Sequence, residues 1–170
     1  MSSINHHNII NQWHKTFDER SFEDLLLKPS PTSWSLGQLG MHLVESSRWH
    51  LKQVEICLNS DDHADGEMTS NGKAMFAQGA FPDQLIEGPP SNAVTPQPQS
   101  KEALLQLLAD LQRDLEAIGK KIAVSTSRGK TKHPSLHYFN AREWFQFIDM
   151  HLRHHLRQRS RIEAFLNMQK

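Results

Sequence analysis

Residues 140–166 read NAREWFQFIDMHLRHHLRQRSRIEAFL, and the fold turns on how this stretch is read. Asn140 with Glu143 three positions on is a capping box, a pair of side chains that ties off the free backbone amides at a helix start. No glycine or proline follows, so one helix is predicted from there to about Asn167. Trp144, Ile148, Ile162 and Leu166 recur at helical spacing and should face a core. His151 and His155 lie on that face, one turn apart, with Cβ atoms roughly 6 Å from each other. Buried imidazoles without partners are costly. A metal ion is the partner that would use both rings together.

The same two signals, a cap and an apolar stripe, recur upstream. A first helix is predicted from about Asn5 into the twenties, with Ile9, Ile10, Trp13 and Phe17 on one face and a restart at Ser21 and Asp24 before Leu25–Leu27. Pro29, Pro31 and Ser33 make a turn. Ser35 and Gln38 form a capping box that opens a second helix, with the stripe Leu36, Leu39, Leu43, Val54 and Leu58 and an end near Asn59–Ser60. A third helix should run from about Lys101 to Ile122, striped by Leu104, Leu108, Leu111, Leu115, Ile118 and Ile122. Between the second and third helices, Asp61–Gln99 is rich in glycine, proline and small polar residues. Such a long connection suggests either disorder or a functional cover, and Met75, Phe76, Phe81, Leu85 and Ile86 favour a segment that packs over something. Ser125–Leu136 reads as a polar connector, and no alternating strand pattern of useful length is present. The expected fold class is therefore all-α, a four-helix bundle over residues 1–170 as a single domain, with a long connection between helices 2 and 3.

Composition narrows the function. Nineteen lysines and arginines balance nineteen aspartates and glutamates, which removes the usual electrostatic case for nucleic acid or an anionic membrane as partner. No apolar run approaches the ~20 residues of a membrane span. The single cysteine, Cys57, has no internal disulfide partner and reads as a small core residue. A reducing cytoplasm is the expected location. Of the eleven histidines, His6, His7, His14 and His63 fall in polar surroundings and are expected to be exposed.

A third ligand would come from another helix, and His42, two turns into the second, is the candidate. Three neutral imidazoles with an open position suit a catalytic divalent metal, with zinc, nickel, cobalt or iron(II) preferred over magnesium or calcium. His154 is close enough to His151 to share a metal, but falls off the Trp144–Ile148 stripe and reads as lying behind the ligands or in solvent. The zinc-protease H-E-x-x-H pattern is absent, because Leu152 follows His151. Glu45 is expected on a solvated face, and Asp149 is expected to pair with Arg153. Arg153, Arg157, Arg159 and Arg161 invite an anion-binding reading, against which stands a plain solvated face near a helix C-terminus.

TSWSLGQLGMHLVES, with Trp34-Ser35 followed by His42-Leu43, and HPSLHYFNAREWFQFIDMHLRHHLRQ, with His133-Pro134, Glu143-Trp144 and His151/His155, together resemble the DinB-like (DinB/YfiT-like) superfamily of four-helix bundles. The order and spacing of these motifs span nearly the whole chain. The resemblance implies a metal triad of His42, His151 and His155, with zinc or nickel the leading metals, and a homodimer. It implies a metal-dependent hydrolase, or a transferase or isomerase working with a low-molecular-weight thiol on a small-molecule substrate. Ser135-Leu136-His137 departs from the glycine that related sequences often carry after the histidine-proline. The competing reading is a non-enzymatic helical binding or interaction module holding a structural or adventitious metal.

Overall fold

The computed structural model describes residues 6–83 and 93–169. Helices dominate it. α1 (His6–Asp18) buries Ile9, Ile10, Trp13 and Phe17. Trp13 and Phe17 stack at 5.8 Å, and Trp13 Nε1 donates to the Leu152 carbonyl at 3.2 Å, fixing this helix against the C-terminal part of the chain. The short α2 (Phe22–Leu26) starts where Ser21 Oγ accepts from the Asp24 amide. α3 (Leu36–Leu58) opens on the complete Ser35/Gln38 capping box. It lies at the centre, in contact with α1, α2, α5 (Lys101–Val124), α6 (Ala141–His154) and α7 (Leu156–Met168), the last three described below. Gly40 permits one of these approaches: a Cβ there would come within 2.9 Å of the Phe17 ring and 3.0 Å of Leu104.

α5 (Lys101–Val124) is capped by Ser100 and buries all six stripe residues. The Asn140/Glu143 box opens α6 (Ala141–His154), and α7 (Leu156–Met168) follows with Ile162 and Leu166 buried. α6 packs chiefly on α3, while α1 packs on α5. One apolar cluster joins α1, α2, α3, α5, α6 and α7 with Phe139.

Four expectations need correction. The fourth helix is not continuous: it breaks at His155, whose ψ of −8° tightens the backbone at the junction of α6 and α7. The 61–99 connection contains a helix, α4 (Ser70–Gln78), started by Thr69 and ended by Gly79 with a left-handed φ of 66°; Leu85 and Ile86 lie outside the described residues. The 125–136 connector is half of an antiparallel hairpin, β1 (Lys130–His133) with β2 (His137–Asn140), in which Phe139 is buried. His137 takes a left-handed φ of 67° at the turn, the conformation for which a glycine is the usual choice. His6 is buried, because its Nε2–H donates to the Phe145 carbonyl at 2.9 Å. Trp13, Phe17, Phe145 and Phe147 are all buried, and the large exposed apolar side chains of α3 are Trp49 and Ile56.

Candidate metal centre

His42 enters the site from α3, His151 from α6, and His155 from the break between α6 and α7. Their rings meet at the interface of α3 and α6. His155 Nε2 lies 3.2 Å from His42 Nε2 and 3.1 Å from His151 Nε2. One nitrogen of each ring falls within 4.8 Å of the other two. For metal–nitrogen bonds of 2.0–2.1 Å, tetrahedral neighbours are separated by about 3.3–3.4 Å, so the two short distances are close to those of a coordination shell.

The protons on these rings can be placed from their other nitrogens. His155 Nδ1 lies 3.0 Å from Gln158 Oε1, which only accepts, so Nδ1 carries the hydrogen and Nε2 a lone pair. Ser46 Oγ donates to the His42 carbonyl at 2.7 Å and presents its own lone pair to His151 Nδ1 at 3.5 Å, a longer approach of the same sense. Burial of an imidazole disfavours its charged form. Burial brings His42 down to about 4, and burial with the neighbouring His42 brings His155 to about 3. His151 falls well below the ordinary range through burial and then through the adjacent imidazoles. All three rings are therefore neutral near pH 7. His151 and His155 so protonated both turn Nε2 lone pairs to the centre at 3.1 Å, and a cation between them would relieve their repulsion. The donor set fits a divalent transition metal, and the cluster could hold one.

Aromatic rings wall the centre. Trp34 lies 4.8 Å from the His42 ring, Phe147 stacks at 6.5 Å on His151, and Phe81 sits 6.0 Å from His151 and 4.9 Å from His154. The Trp34-Ser35 motif thus has two tasks, since Ser35 caps the helix that carries His42 while Trp34 covers its ring. The anticipated cover is present through Phe81. His42 is buried, while His151 and His155 are partly exposed as residues.

The remaining candidates sort clearly. His154 is half-buried beside His155, with ring centroids 5.3 Å apart, and stays outside the ligand group. Glu45 is exposed. Asp149 pairs with Arg153 at 2.8 Å. Cys57 is a core thiol that burial pushes up. His7, His14 and His63 are exposed as expected.

Two histidines pack at the site without a role in the sequence reading, which passed over His50 and named His133 only within a motif. His50 is 6% exposed, stacks on Trp144 at 5.6 Å and meets His151 edge-on at the same distance. Burial lowers it to about 3, and its Nδ1 is buried without a hydrogen bond. Its signal was the 4-3-4-3 spacing Leu43, Ser47, His50, Val54, Cys57, all buried. His133 accepts the Ser135 and Leu136 amides on Nδ1 at 3.2 Å each and packs among Phe139, Trp144 and Phe147, holding the hairpin turn over the site.

A mostly helical chain with three convergent neutral imidazoles defines a helical protein with a candidate metal centre. The DinB superfamily profile matches residues 8–158, and the chain belongs to that superfamily. Neither curated proteins nor solved structures gave a match.

Proposed function

We propose that the protein is a divalent-metal enzyme whose centre is His42, His151 and His155, acting on a small-molecule substrate as a thiol-dependent transferase or as a hydrolase. The observation that carries this reading is the convergence of three imidazole nitrogens at 3.1–3.2 Å from two different parts of the fold. A metal held there would lower the pKa of a coordinated water to about 7 or deprotonate a coordinated thiol outright. Zinc and nickel suit the all-nitrogen donor set best, with cobalt or iron(II) next.

The chain's own residues suit a ligand that ionises on the metal, a thiol or a water. Glu45 faces solvent and Asp149 is committed to Arg153, so neither is available as a general base. A thiol that ionises on coordination needs none. Gln158 orients His155 through Nδ1, Trp34 and Phe81 restrict water, and His133 secures the hairpin beside them. In this reading residues 1–170 form one domain, an antiparallel four-helix bundle working as a homodimer in the cytoplasm. No helix among the described residues is long and apolar enough to cross a membrane.

Metal analysis of protein purified without a nickel column tests the centre. One equivalent of metal per chain is expected, lost in His151→Ala and kept in His63→Ala. Metal retained by His151→Ala refutes the assignment. A coordinatively closed spectrum in the cobalt(II) form would favour the non-enzymatic module. Light scattering at micromolar concentration tests the dimer, which a monomer mass refutes.

A further inference from the structure

The last turns of the protein carry an arginine run whose members differ in one respect, the acids they hold. Arg153 is committed to Asp149, and Arg159 shares Glu163 with Arg20. Arg161 has no ion pair among the described residues. Arg157 binds Asp83 at 2.7 Å, and this acid is 84% exposed while its partner is 50% exposed. Exposed pairs of this kind contribute roughly 0–1 kcal/mol, so Asp83 is easily displaced.

These two loosely committed guanidiniums stand beside the metal centre. Positions 157 and 161 lie one turn apart on α7, and Arg157 reaches Asp83, two residues from the Phe81 ring that lies 4.9 Å from the His154 ring. That ring lies 5.3 Å from the His155 ring. The segment that brings Asp83 to Arg157 also brings Phe81 over His151 and His154. Asp83 and Phe81 therefore form one strap, with a carboxylate on the arginine and an aromatic ring over the imidazoles.

We propose that the site selects a substrate or thiol bearing a carboxylate, which Arg157 and Arg161 receive in exchange for Asp83 while the reacting group reaches the centre formed by His42, His151 and His155. The inference rests on the metal-centre reading above. The seated Asp83 carboxylate indicates the ligand's chemistry, because the same group already meets Arg157 Nη1 at 2.7 Å. Exchange has a second effect. Releasing Asp83 frees the strap, so that Phe81 moves away from His151 when the right ligand arrives.

The test uses the cobalt(II) form of the full chain, whose thiolate charge-transfer absorption reports thiol binding without turnover. It is titrated with ω-mercaptocarboxylates of graded length, and with ω-mercaptoalcohols of matching length as neutral controls. At one length or more the carboxylate should bind about tenfold more tightly, a factor equal to about 1.4 kcal/mol. Arg157→Gln with Arg161→Gln should erase this preference and leave the mercaptoalcohol affinity unchanged. Asp83→Asn keeps both arginines and should strengthen carboxylate binding several-fold. Absence of preference at every length, a preference that survives the double substitution, or no gain in Asp83→Asn would each overturn the proposal while leaving the metal centre standing. Failure to bind cobalt(II) stoichiometrically would overturn both.

Discussion

Lowering the pH should destabilise the metal-free protein steeply, well before its carboxylates titrate. His42 and His133 lie at about 4 in the fold, and His50 and His155 at about 3, in each case chiefly through burial. In the unfolded chain each returns to about 6.5. Because these groups are depressed in the fold, the stability they confer is complete above about 6.5 and is lost as pH falls toward 3–4. Between pH 7 and 5 the unfolded chain binds nearly one proton per ring that the folded chain refuses. That costs about 2 kcal/mol for each histidine. Four such rings amount to roughly 5–8 kcal/mol, comparable with the 5–15 kcal/mol that holds a typical domain together. Urea unfolding followed by tryptophan fluorescence, with chelator present, at pH 7, 6 and 5 measures the loss directly. A bound metal should shift the curve upward at each pH by mass action. A urea midpoint that stays constant from pH 7 to 5 in the metal-free protein refutes the reasoning.

Three substitutions probe single contacts. Gln158→Ala removes the acceptor that fixes the His155 tautomer and should weaken metal binding about 10–100-fold with little change in fold; calorimetric titration at unchanged affinity would reject that role. His50→Leu replaces a buried ring whose Nδ1 has no partner, and should stabilise the metal-free protein by about 1–2 kcal/mol while leaving metal stoichiometry intact, with loss of metal showing that His50 belongs to the ligand set. His137→Gly relieves the left-handed φ of 67° and should change stability by about +1 kcal/mol or less, a marked loss pointing instead to side-chain contacts that hold the turn.

The helices were legible because their starts and faces are local. Ser35/Gln38 and Asn140/Glu143 form the reciprocal bonds their spacing implied, and the α5 stripe is buried at every leucine and isoleucine named. Where the reading fell short, the cause lies far along the chain. His6 is buried by a carbonyl 139 positions away. The hairpin is too short for alternation to show, and it is held from outside: Met68 bridges to His137, and the Glu67 and Leu136 carbonyls accept the Tyr138 and Thr69 amides. α4 carries its cap signals, Thr69 and Gly79, but buries only Gly72 and so lacks a stripe. His50 was hidden by polarity. A search for apolar residues passes over Ser47 and His50, although both stand in register with Leu43, Val54 and Cys57.

The break at His155 is the least legible feature and the one closest to function. Neither glycine nor proline marks it. Its signature is in side chains: His155 meets Gln158 through Nδ1 and the other two imidazoles through Nε2. The backbone turns where one ring must satisfy three partners at once. Past the turn, α7 buries Ile162 and Leu166 and meets α3, while Arg157 pairs with Asp83. The four-residue spacing of His151 and His155 was readable as a ligand pair in an unbroken helix. The break falls at the last imidazole itself, and the residue that orients that ring, Gln158, stands in the first turn of α7.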